Sequence, residues 1–280
     1  MQTTHTTMRG TAGVRPVGAH LRDWRQRRRM SQLDLALEAS ISSRHLSFVE
    51  TGRARPSRDM ILHLAERLAI PLRERNVLLV SAGYAAVFPE RPLDDPALAV
   101  ARAAVEVVLT GHEPYPAIAV DRHWHLVAAN AAVAPLLTGA APNLLEPPIN
   151  VLRLSLHPEG VAPRIANLAE WRAHILARLR QQIEVSADTG LAALHEELSA
   201  YPAPSVDPRK PPPPRDAEFG SIVVPLELAS EHGVLAFFST TTVFGTPIDV
   251  TLAELAIEAF FPANAATAEI LRRLTPDARG

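Results

Sequence analysis

Ser31, Gln32, Ser42, Ser43, Arg44, Ser47 and Phe48 crowd into the stretch Ser31 to Gly52, and together they offer the chemistry of a base edge. Hydroxyls and a carboxamide both donate and accept. The Arg44 guanidinium suits a forked pair with O6 and N7 of guanine, the commonest specific contact in a major groove. Phe48 has no hydrogen bond to give, which leaves it two roles: packing on a thymine methyl, or filling the protein core. Arg53 and Arg55 follow at once and suit phosphates, as does Ser31.

Such groups read bases only if a helix carries them into the groove. Ser31 predicts an N-cap, followed by an apolar surface from Leu33, Leu35, Ala36 and Leu37. Ala39-Ser40-Ile41 breaks that helix and Ser42 caps the next. There Leu46 and Val49 turn inward, and Ser43, Arg44, Ser47 and Phe48 take other faces. This is the layout of a helix-turn-helix. A basic helix over Val17 to Arg29 precedes it, with Leu21 and Trp24 inward. After it, Gly52 is the stop and Ser57 the next cap. A fourth helix runs from Arg58 to about Ala69, and a fifth from Leu72 to Ser81, opened by Pro71 and ended by Gly83. The expected N-terminal fold is thus an all-α bundle of five helices over residues 16–85, behind a flexible arm over 1–15 where Arg9 and Arg15 add at most weak phosphate contacts.

Charge agrees with that division. Residues 1–85 hold 14 arginines against seven acidic residues, a balance of +7; the remainder carries −9 within a net charge of −2. A basic third on an acidic body suits a polyanion-binding module joined to something with another task. The 280 residues contain no cysteine, which excludes disulfides and thiolate zinc sites. No apolar run is long enough to span a bilayer, and the polar Met1 to Gly13 is unlike a signal peptide, so a cytoplasmic protein without membrane contact is expected.

The pattern Leu21-x-x-Trp-Arg, Ser31-Gln-x-x-Leu-Ala, Ile41-Ser and Leu46-Ser-x-Val-Glu-x-Gly-Arg-x-Arg-Pro-Ser57 resembles the phage-repressor (Cro-type, XRE-like) DNA-binding domain across residues 17–83. The resemblance implies that Gln32 reads a base edge or clamps a phosphate. It places Ser42, Ser43 and Arg44 on bases, with Phe48 one turn further on. It also pairs Arg25 with Glu50 as a structural link between helices. Ser40 departs from it, standing where the family usually has glycine in the turn.

Ala86 to Pro96, with three prolines, reads as a linker, and Asp94 or Asp95 caps a connector helix to about Leu109, giving a joining segment over 86–111. In 112–280, Pro116 to Asp121 and His125 to Asn130 read as strands around the turn Arg122-His-Trp, with a helix from Ala131 to Leu137. This opening resembles a PAS domain. Asn150 to Pro158, a long helix bearing Trp171 to about Ile183, and a helix over Leu191 to Leu198 extend the match to the ligand-binding domain of MmyB-like regulators. Tyr201 to Arg215, with seven prolines, reads as an extended surface loop. Ser221 to Leu228, Gly233 to Thr242 and Thr246 to about Thr251 read as a three-stranded meander, followed by a helical or partly extended stretch to Phe261 and a helix over Ala265 to Leu274. The expected C-terminal fold is therefore α+β and PAS-like, an antiparallel sheet of about five strands with helices on one face.

Little here suggests catalysis. There is no Gly-rich phosphate loop and no serine elbow, and no cofactor is expected. His123 and His125 alternate onto one face as a metal pair would, but with no third ligand in view they read as surface histidines, and no metal is expected. A helix packed over a sheet often lines a pocket; Trp124, Trp171, Arg172, His174 and Phe237 are its candidate residues, with Arg172 and His174 as partners for a carboxylate. The sequence thus describes a non-enzymatic regulator with double-stranded DNA as partner, acting as a homodimer. Its second domain, by resemblance, takes a small apolar or fatty-acid-like ligand. The rival is a filled PAS-like domain that serves only dimerisation or protein docking.

Overall fold

Serine caps set the first unit. A computed structural model describes residues 15–202 and 224–274 and divides the chain into two units, one through Glu90 and one from Arg91. In the first, α1 (Val17–Arg27), α2 (Gln32–Glu38), α3 (Ser43–Glu50), α4 (Arg58–Arg67) and α5 (Leu72–Ser81) follow one another. Ser31, Ser42 and Ser57 each accept the backbone N–H three residues on, and Asp34 returns a bond to Ser31 N, completing a capping box. Leu21, Leu35, Leu46, Ile61, Leu64, Leu68 and Leu79 form the sealed core. Gly18 lets α1 lie against the end of α3, since a Cβ there would come 2.2 Å from the Val49 carbonyl oxygen.

Two expectations change. α1 stops at Arg27, because Arg29 turns left-handed at φ 56°. Leu33 and Leu37 are 58% and 69% exposed rather than part of the apolar surface: helical spacing sends Leu35, Ala36 and Ala39 inward and puts these two on the opposite side.

The second unit opens with Asp95 capping a 3₁₀ turn at Pro96–Leu98 that runs into α6 (Ala99–Gly111). Then come β1 (Ala117–Val120), β2 (Leu126–Ala129), α7 (Val151–Leu156), α8 (Leu168–Ser186), α9 (Thr189–Ala200), β3 (Leu226–Ser230), β4 (Gly233–Val243), α10 (Val250–Ala253), β5 (Ala256–Pro262) and α11 (Ala265–Leu274). The five strands form one antiparallel sheet in the order β2-β1-β5-β4-β3. Alternation along β1 feeds two cores. Ile118 and Val120 meet Trp171, Ile175 and Leu179 of α8 and Leu191, Leu194 and Leu198 of α9; Ala117 and Ala119 meet Val105 and Leu109 of α6. Helices therefore cover both faces, not one.

The meander also differs from expectation. Thr246–Thr251 is no strand; buried Asp249 accepts from Thr251 N and caps α10 there. The central strand is β5, which pairs with both β1 and β4 from the stretch left between helix and strand. The helix expected from Ala131 shrinks to a 3₁₀ turn at Ala134–Leu137 around Pro135. The arm through residue 14, most of the proline-rich loop (203–215) and the first residues of the expected strand at Ser221 lie outside the described residues. No described helix is long and apolar enough to cross a membrane.

Candidate DNA-reading face and ligand cavity

Capping decides what α3 can show. The Ser42 hydroxyl accepts from His45 N at 3.1 Å, which leaves its O–H to donate outward. Ser42, Ser43 and Arg44 are exposed and Ser47 and Phe48 half-buried, above buried Leu46 and Val49. The Arg44 guanidinium lies 5.4 Å from the centre of the Phe48 ring. Phe48 thus stays out of the sealed core and backs the arginine.

Beneath this face, Glu50 is fixed from several sides. Arg25 donates from Nε to Oε1 (2.7 Å) and from Nη2 to Oε2 (2.9 Å), while its Nη1 reaches the Met30 carbonyl at 2.8 Å. Arg22 reaches the Glu50 carbonyl oxygen at 3.2 Å. Gln32 Nε2 donates to Glu50 Oε2 at 2.8 Å, so the amide at the head of α2 is aimed by the same carboxylate. Burial pushes the Glu50 carboxyl up, but the Arg25 and Gln32 hydrogen bonds and the charges of Arg25 and Arg22 bring it below its ordinary value.

Ser31 is occupied in its capping box, accepting from Asp34 N at 3.1 Å. Arg53 is exposed beyond Gly52, with its backbone N–H bonded to the Phe48 carbonyl at 2.8 Å. Arg55, by contrast, donates to the Ala82 carbonyl (2.9 Å) and lies over the Tyr84 ring, tying the loop to the end of α5.

In the second unit a cavity of about 140 Å³ opens between the sheet and helices α7 and α8. Trp124, Trp171 and Phe237 line it with Ile118, Ile175 and Phe260. Both indole N–H groups are already engaged, Trp124 with Gln182 Oε1 and Trp171 with Ser155 Oγ, each at 2.9 Å. The wall's charged groups are Arg178 and Glu258. Arg178 Nη2 meets Glu258 Oε1 at 2.5 Å and Thr241 Oγ1 at 2.8 Å, Nη1 meets Glu258 Oε2 at 3.1 Å, and the guanidinium stands 4.6 Å from the Trp124 ring centre.

Arg172 and His174 do not line the cavity. Arg172 donates to the Ser199 (2.7 Å) and Tyr201 (3.3 Å) carbonyls and so closes the end of α9. His174 tilts against Trp171, and burial, then the charge of Arg178, lowers its pKa. The reason is angular: Trp171, Ile175 and Arg178 recur at helical spacing along the cavity side of α8, and Arg172 and His174 fall beside that stripe. Spacing from Trp171 would have found Arg178. Glu258, on a strand left ambiguous, gave no such signal.

The family model described as MmyB-like transcription regulator ligand binding domain matches residues 101–274, and a helix-turn-helix domain model matches residues 16–78. No curated protein matches the chain.

Proposed function

The chain belongs to the MmyB-like transcription regulators, a helix-turn-helix module followed by a ligand-binding domain, and from that premise we propose that it reads operator DNA as a homodimer and that a small apolar ligand in the second unit sets its affinity. The exposed head of α3 supports the first half. Two copies would present their α3 helices to half-sites about one helical turn apart. Arg44 would choose guanine and Arg53 would hold phosphate; DNA as partner makes the cytoplasm its place of action.

The observation that carries the second half is the cavity of about 140 Å³, walled mainly by carbon apart from the Arg178–Glu258 pair and two serines. Cavities of that size and polarity stay dry and admit small apolar guests, benzene among them. A docking domain with a filled core, the rival reading, would close such a space. Arg178 supports a refinement of the ligand class. Its charge is already matched by Glu258, so a carboxylate guest would set two anions on one guanidinium. A hydroxyl or carbonyl end suits the cavity better than the ionised head of a fatty acid. The PAS-like layout would then couple the units through the ligand's different affinity for two arrangements of the dimer.

The test begins with selection of binding sequences by the full chain. On the selected site Arg44→Ala should cost about 1–3 kcal/mol and relax the preference at one base pair, whereas Arg53→Ala should weaken all sequences alike and reduce the salt slope by about 1. Titrating 1-octanol and octanoate against the DNA complex then tests the ligand: octanol should change operator affinity at lower concentration. No effect of either on binding or melting would leave the sensor reading without support.

A further inference from the structure

The turn between β1 and β2 brings together three side chains that the regulator's DNA and cavity chemistry does not use. Asp121, His123 and His125 each offer one donor atom, and the three atoms lie within 4.8 Å of one another. The histidines that lacked a third ligand in the sequence have one two residues upstream. Trp124, between them, points the other way into the cavity wall, held at φ 67°.

From these donors we infer a binding site for a borderline divalent transition-metal ion such as Zn²⁺. Two imidazoles and a carboxylate are the donors such ions prefer, whereas Mg²⁺ and Ca²⁺ take oxygen. His125 Nδ1 already stands 3.0 Å from Asp121 Oδ2. Ligands about 2.0–2.1 Å from a tetrahedral ion are about 3.3 Å apart, so no gap among the three donors must close by more than about 1.5 Å, within reach of side-chain rotation. The carboxylate is set in place by its other oxygen, which accepts the backbone N–H of His123 and of His125, each at 2.8 Å.

Outside the three donors stands Asp188, at the start of α9. Its carboxylate lies 3.0 and 3.2 Å from His123 Nε2 and accepts from Gly190 N and Leu191 N. A carboxylate holding one ring nitrogen of a ligating histidine fixes the tautomer and leaves the other nitrogen's lone pair for the ion. Gly190 keeps room for the ring, since a Cβ there would sit 3.1 Å from His123 Nε2. The nearby cation is Arg122, which faces Asp188 at 3.3 Å and Glu254 at 3.7 Å. Three protein ligands leave a coordination position for water. An ion so held would clip the β1–β2 turn to the head of α9.

The site is tested with the full chain stripped by EDTA and titrated with Zn²⁺ in a calorimeter, with Co²⁺ absorption as a second readout. One equivalent should bind at micromolar Kd or tighter. His125→Ala and Asp121→Asn should each weaken it at least tenfold, and Asp188→Asn by about 10–100-fold. Melting in EDTA verifies that each variant folds. If one does not, ring-nitrogen NMR shifts of the unaltered protein decide, because Zn²⁺ should move His123 and His125 together. No stoichiometric binding, binding that survives the His123→Ala/His125→Ala double variant, or shifts confined to other histidines would overturn the proposal.

Discussion

Glu50 in the first unit and Glu258 in the second are 3% and 2% exposed, and each receives a forked guanidinium, from Arg25 and Arg178. Their surroundings separate them. Arg25 spends its remaining nitrogen on the Met30 carbonyl, and Gln32 closes over Glu50, so the pair is walled by helices and fixes α1, α2 and α3 against one another. Arg178 and Glu258 share Thr241, and Arg178 lies over the Trp124 ring, but one side of the pair borders the cavity. The same two residue types thus make a rivet in one place and a polar wall in the other. A buried ion pair has no fixed role; what its spare hydrogen-bonding capacity meets decides it.

Removal of one partner tests the contrast most strongly. Glu50→Ala strands Arg25 in a closed site and should cost about 3–5 kcal/mol. Glu258→Ala should cost about half as much, since Arg178 keeps Thr241 and the Trp124 ring and has the cavity for hydration. Urea unfolding with a probe in each unit measures both; equal losses would erase the distinction. Next in size, Glu258→Gln lifts the anionic competitor from Arg178, and octanoate should then bind about tenfold tighter, a gain of about 1.4 kcal/mol, while octanol is unaffected. A calorimetric titration of the two compounds shows whether the wall is selective.

Acid probes the first pair in another way. Glu50 lies below its ordinary value of 4.5, so the stability it contributes is complete above that pH and is lost as pH falls through the lower, folded value. The first unit should therefore loosen on acidification below about 4.5, and Glu50→Gln should flatten that part of the curve when melting is followed against pH. The smallest effect belongs to the turn beside the rivet. Ser40 sits left-handed at φ 53°. Ser40→Gly should relieve about 1–2 kcal/mol of strain while giving back about 0.4–1 to the unfolded chain, for a net gain of about 0–1.6 kcal/mol in thermal melting.

The rivet was legible and the wall was not, for physical reasons. Arg25 and Glu50 sit in one motif whose caps and spacings are local: Ser31, Ser42 and Ser57 announce three helix starts, and five helices follow at the expected places. Local rules fail where partners are distant. Arg178 meets Glu258 across 80 residues, and β5 is a strand because β1 and β4 flank it, not because its own residues alternate cleanly. Of the expected pocket residues, Trp124, Trp171 and Phe237 reach the cavity, whereas Arg172 and His174, expected to meet a carboxylate, do not. The sheet has the expected five strands, although the strand expected over Thr246–Thr251 lies a few residues further on, at Ala256–Pro262.

The three tryptophans give this protein its own optics. Trp24 is buried in the first unit, and Trp124 and Trp171 form walls of the cavity in the second. A Trp24→Phe chain would emit from the cavity alone, with one indole beneath a guanidinium and the other beside an imidazole. Entry of any guest would then be visible as a change in colour and lifetime, with no label attached and no operator sequence in hand.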